Sequence, residues 1–78
     1  MRYFFDVINF TGGQATIDEE GCDLDTESEM RKEAVRLLAQ IASDEAPYGS
    51  SPILTTLVRD RHGPVYRAVL TIEGRALH

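Results

Sequence analysis

One capped amphipathic helix, set between two strand-rich segments, limits this chain to a small number of folds. The helix start reads Asp25-Thr26-Glu27-Ser28-Glu29. Thr followed three residues later by Glu is a capping box, in which each side chain satisfies a backbone N–H that the first helical turn leaves open. Asp25, Glu27 and Glu29 place negative charge at the positive end of the helix dipole. From Thr26 to Glu45 the apolar positions are Met30, Ala34, Val35, Leu37, Leu38, Ile41 and Ala42. They span an arc of roughly 160°, the stripe of a helix that packs on one surface. Lys32, Glu33, Arg36, Gln40 and Ser43 lie opposite, and Glu27 with Arg31 forms an i,i+4 pair in the favourable order. Pro47 and Gly49 close the helix, because proline offers no N–H and keeps Ala46 out of helical geometry.

The flanking segments read as strands. Tyr3 to Phe10 is aromatic and β-branched. Tyr3, Phe5 and Val7 share one face; Phe4, Ile8 and Phe10 share the other, interrupted by Asp6. Thr11-Gly12-Gly13 predicts a turn. Gln14 to Asp18 predicts a short second strand, and the acidic Asp18-Glu19-Glu20-Gly21 redirects the chain. Pro52 to Asp60 predicts a third strand, with Leu54, Thr56 and Val58 on one face and Ile53, Thr55, Leu57 and Arg59 on the other. Asp60-Arg61-His62-Gly63 predicts a hairpin turn. Val65 to Ile72 predicts a fourth strand, with Tyr66, Ala68, Leu70 and Ile72 on its apolar face. The expected architecture is α+β: a four-stranded, mainly antiparallel sheet in the order β-β-α-β-β, with one helix on one face, as a single domain over residues 1–78.

One helix covers one face of such a sheet. Ile53, Leu57 and Val69, with one side of the first strand, are left on the other, and exposed apolar area of that kind marks an association surface. A chain of 78 residues is short for an independent core, so pairing also supplies burial. The sequence therefore predicts a homodimer with Ile53, Leu57 and Val69 at its interface.

Charge and cysteine usage narrow the function classes. The formal net charge is -5, which repels phosphates and argues against nucleic-acid binding. Eight of the thirteen acids fall between Asp18 and Glu33, and seven of the eight basic residues are Arg. Arg favours bidentate pairing with carboxylates, so ion pairs within the fold are the expectation. Cys22 is the lone cysteine, which excludes a disulfide framework and fits a reducing, cytoplasmic setting. No apolar run reaches the ~18 residues of a membrane span, and the start turns acidic too soon for a signal peptide.

Nothing in the chain assembles catalytic or cofactor chemistry. The acidic Asp18-to-Asp25 stretch suggests calcium, yet counting from Asp18 the sixth position, where an EF-hand needs Gly, is Asp23. The acids are expected to serve a turn and a helix start. Cys22 has acidic neighbours, which raise a thiol pKa, so a small, partly buried structural side chain is expected. His62 falls in a turn. Thr11-Gly12-Gly13 lacks the Lys and the following helix of a phosphate loop. No enzyme activity, metal or cofactor is expected.

Arg2-Tyr3-Phe4-Phe5-Asp6-Val7, Asp18-Glu19-Glu20-Gly21, Asp44-Glu45-Ala46-Pro47-Tyr48-Gly49 and Val58-Arg59-Asp60 before Gly63-Pro64-Val65 occur in the order seen in a family of small bacterial proteins, a domain of unknown function, which the chain resembles. The resemblance implies a small stand-alone cytoplasmic protein and brings no activity. Gly21-Cys22 followed by Thr26 and Glu29 is also similar to the N-terminal part of HicB-type antitoxins, although the spacing to the cap is shorter and no DNA-binding segment follows Ile72. Three functions follow as expectations: a non-enzymatic protein-interaction module that self-associates, an antitoxin-like regulatory protein that binds a protein partner, and a small ligand- or metal-binding domain. A flat apolar sheet face favours the first, a groove beside the helix the second, and a pocket of convergent polar groups the third.

Overall fold

The computed structural model describes residues 1–9, 14–45 and 53–77. Among these residues five strands and one helix follow in order: β1 (Arg2–Asn9), β2 (Gln14–Thr16), β3 (Cys22–Asp23), α1 (Glu27–Glu45), β4 (Ile53–Asp60) and β5 (Gly63–Thr71). All described pairings are antiparallel, in the order β2-β1-β4-β5, with β3 also on β1. The expected α+β layout holds, with one strand more than the four predicted. Two residues carry no strand periodicity, so β3 is invisible in sequence; pairing with β1 defines it.

β2 and β3 are two halves of one broken edge. Val7, Ile8 and Asn9 pair with Thr16, Ala15 and Gln14, while Arg2 and Tyr3 pair with Asp23 and Cys22. Met1 and Leu24 extend the second half, each donating its amide or amino nitrogen to the other's carbonyl at 3.0–3.1 Å. Between the halves the ladder is interrupted at the acidic turn. There the Phe5 N–H donates to Asp18 Oδ2 at 3.1 Å, so a side chain stands where a strand carbonyl would be.

The α1 stripe packs on β4 and β5. Leu38, Ala42 and Leu54 form one buried cluster, flanked by Ile41, Leu70 and Ile72. Tyr3, Phe5, Met30, Ala34 and Val58 form the other, with Leu24, Leu37 and Tyr66 against it. The helix thus drifts off β1 along its length: its first turns lie over Tyr3 and Phe5 as well as Val58 and Tyr66, and its later turns over β4 and β5. Val35 departs from the predicted stripe: it is 55% exposed, because it lies at the margin of the apolar arc. Leu54, Thr56 and Val58 are buried as the alternation requires. Among the described residues, Thr56 Oγ1 is buried without a hydrogen-bond partner.

The cap forms with one shift. The Glu29 N–H donates to Thr26 Oγ1 at 3.1 Å, but Glu29 Oε2 accepts from the N–H of Asp25, at 3.3 Å, one residue ahead of the cap. Arg31 and Glu27 lie 3.7 Å apart on the exposed side. The β4–β5 hairpin turns at Arg61-His62, with Gly63 at φ 122° and the His62 N–H donating to Asp60 Oδ1 at 2.7 Å. Phe10, the Thr11-Gly12-Gly13 turn, Pro52 and the Pro47–Gly49 helix stop lie outside the described residues.

Candidate functional site

Among the described residues, three surfaces bear on function: the sheet face away from α1, the polar cluster at the broken edge, and a groove beside the helix. Register places Ile8, Thr55 and Val69 in one row of the open face, and Asp6, Leu57 and Arg67 in the next. Ile53 is 41% and Val69 55% exposed. Leu57 is half-buried, and Thr55, between Ile8 and Val69, is buried. Ile53, Leu57 and Val69 therefore share one face, as their parity on β4 and β5 implies.

Asp6 is the buried charge of that face, only 4% exposed. Arg59 grips it through two bonds, Nε to Oδ2 at 2.6 Å and Nη2 to Oδ1 at 3.0 Å. The same guanidinium donates to the Asp18 carbonyl at 2.9 Å and lies 5.0 Å from the Phe4 ring centre. Asp6 Oδ1 also accepts from the Asp18 N–H at 3.0 Å. The Arg59 hydrogen bonds hold the Asp6 carboxyl below its ordinary range, against the opposing effect of burial. Burial by itself would raise Asp18. The N–H donors of Gly21, Phe5 and Glu20, with the charge of Arg59, outweigh it and lower the pKa. Both carboxylates are thus ionised, and their hydrogen bonds tie β1, β4 and the acidic turn together. The role of Asp6 was unreadable in sequence, where it stood as a break in an apolar face; its partner lies 53 residues away.

Gly21 closes the acidic turn at φ 77°. A Cβ there would stand 2.9 Å from Arg2 Cγ and 3.0 Å from both Phe4 Cε1 and the Tyr3 carbonyl oxygen. Arg2 itself crosses the turn, donating to the Glu20 carbonyl at 2.6 Å and to Asp23 Oδ2 at 3.1 Å. Cys22, expected to be partly buried, is exposed. It sits on the outer strand of the sheet, and its Sγ finds the Asp23 carbonyl at 3.9 Å. Among the described residues no three His, Cys, Asp or Glu side chains are arranged to hold a metal ion. No described helix is long and apolar enough to cross a membrane.

The groove opens on the helix side, where α1 leaves the far half of β1 and β2 uncovered. Phe5, Val7 and Leu37 form its apolar base, Ile17 stands at its margin, and Glu19 and Glu20 line its rim, around a volume of about 530 Å³. A second, shallower depression lies where Arg31 stacks 5.5 Å from the Tyr66 ring centre, beside Val35.

Residues 2–71 match the family described as "Domain of unknown function (DUF6894)". The chain belongs to this family. The match spans β1 through β5 and so includes the broken edge, the capped helix and the Arg59 hairpin. No curated protein and no solved structure matches the chain.

Proposed function

We propose that this DUF6894 chain is a non-enzymatic protein-interaction module of the cytoplasm that forms a homodimer through its open sheet face. The carrying observation is the combination of shape and charge on that face. Ile53, Leu57 and Val69 stand on neighbouring strands, in the part of the sheet that the single described helix leaves bare. The carboxylate among them, Asp6, is already neutralised by Arg59. Eight of the thirteen acids lie between Asp18 and Glu33, in the broken edge and the first half of α1. A chain of net charge -5 can therefore bring two such faces together across a two-fold axis without opposing uncompensated carboxylates. The contact adds apolar burial that a domain of this size lacks. The carboxylate of the face is held in the Asp6–Arg59 ion pair, which favours association over catalysis. The lone exposed thiol supports a reducing compartment.

Leu57→Lys and Val69→Lys test the reading by size-exclusion chromatography, with Val35→Lys on the helix side as control. The two sheet-face variants should elute as monomers and the control as wild type. Unchanged elution of both sheet-face variants as dimers would move the contact elsewhere.

A further inference from the structure

We infer that the acid-rimmed groove between α1 and the β1–β2 end of the sheet docks a basic segment of a partner protein that inserts an apolar side chain. The groove lies on the opposite side of the sheet from the proposed dimer contact, so both can be occupied and each can fail alone.

The groove follows from the oblique path of α1. Its early residues Met30 and Ala34 pack against Tyr3 and Phe5, and its later residues Leu38 and Ala42 against Leu54. As the helix moves toward β5 it leaves the helix-side surface of Val7 and Thr16 without a cover among the described residues. The base is consequently apolar, and Ile17 at its margin is 58% exposed. An exposed isoleucine beside a half-covered apolar floor is a contact waiting for a side chain from outside.

Charge identifies the occupant. The Asp18 carboxylate is filled by the N–H groups of Phe5, Glu20 and Gly21, and Glu33 is paired with Arg36. Among the described residues, the side chains of Glu19 and Glu20 make no such bonds, and both are exposed at the rim. They can meet incoming cations without giving up an existing partner. The local field agrees in sign with the whole chain, at -5, so a basic partner is steered toward the molecule and then held at this end of it. The open side of the groove suits a segment lying along a surface. A metal would need carboxylates that converge, and those described do not.

The test is selection of random twelve-residue peptides on the immobilised wild-type chain, followed by binding of the enriched peptides as synthetic, fluorescein-labelled probes. Enriched sequences should combine Lys or Arg with Leu, Ile or Phe. Their Kd should rise at least about tenfold in the Glu19→Lys/Glu20→Lys variant, a charge effect typical of interface reversal. Ile17→Ser should weaken them by a similar factor. Raising salt from about 0.05 to about 0.5 M should weaken them further. Both variants alter exposed side chains and should keep the wild-type melting temperature and sedimentation. Leu57→Lys should change sedimentation and leave peptide binding intact, which separates this site from the dimer contact. Enrichment of acidic or uncharged peptides, or none, overturns the inference. So does equal binding to wild type and both groove variants, or displacement by spermidine at the peptide's own concentration, which would make the groove a small-cation site. Loss of wild-type dimers in the groove variants would assign it to a second copy of this chain and overturn the inference as well.

Discussion

Replacing Gly21 by Ala is the sharpest single perturbation of the fold, because two independent penalties meet at that position. Gly21 has φ 77°, and an L-residue held in the left-handed region costs about 1–2 kcal/mol. The new methyl would also lie 2.9 Å from Arg2 Cγ and 3.0 Å from Phe4 Cε1 and the Tyr3 carbonyl. Arg2 can yield, since its side chain is long. The Tyr3 carbonyl cannot yield without shifting β1, which pairs with three other strands. Overpacking of this kind costs about 1–3 kcal/mol. The sum, about 2–5 kcal/mol, rivals the ~5 kcal/mol expected for a small domain. Gly21→Ala should therefore lower the urea midpoint by about 40% or more, reaching zero at the upper end of that range. Gly21→Asn separates the two terms: Asn tolerates positive φ better but carries the same Cβ, so it should recover part of the backbone cost and none of the overpacking. Gly74→Ala, with nothing within 4 Å, should be unaffected. A Gly21→Ala protein with the wild-type midpoint would refute the close approach of β1 to the acidic turn.

The buried pair makes a prediction about pH. Asp6 and Asp18 have folded pKa values below the ordinary 3.8, so the stability they contribute is complete above that value and is lost as pH falls through the folded values. Arg59→Met should lower stability at neutral pH, because it removes the two hydrogen bonds that compensate the Asp6 carboxylate, and it should reverse the trend. With Asp6 buried and only the Asp18 N–H left as its donor, its pKa rises, and mild acid should stabilise the variant, as read by thermal melts from pH 7 to pH 4. Thr26→Ala should lower stability by about 1 kcal/mol through loss of the Oγ1 acceptor at the helix start, measured by urea denaturation. Leu38→Asp should abolish the folded circular-dichroism signal, since it buries an unpaired carboxylate, whereas Val35→Asp should melt like wild type. Millimolar Ca²⁺ should leave the melting temperature unchanged; a rise abolished by Asp18→Asn would reveal a site.

What the sequence made legible was what local pattern encodes. The Thr26–Glu29 cap, the α1 stripe and the Asp60–Gly63 turn are short-range features, and their signals sit within a few residues. The alternation on β4 assigned Leu54, Thr56 and Val58 to the core and Ile53 and Leu57 to the other face. Features that depend on distant partners were hidden. Asp6 read as an interruption because Arg59 and the Asp18 amide meet it only in the folded sheet. β3 has no period of its own, and the exposure of Cys22 follows from its place on that strand. Val35 satisfied the helical period yet faces solvent, because the period fixes an arc and the width of the sheet decides how much of it is covered. The groove was beyond the sequence for a related reason: it arises from the oblique path of α1, which no residue spacing specifies. The apolar run at Phe5 and Val7 and the acids at Glu19 and Glu20 were its visible traces.

Sedimentation equilibrium of the wild-type chain over a range of micromolar concentrations tests the central claim most directly. A mass of twice the 8.7 kDa of one chain is expected, falling toward the single-chain value on dilution. A mass of 8.7 kDa that persists into the millimolar range would contradict it, and Ile53, Leu57 and Val69 would then face solvent or a different protein.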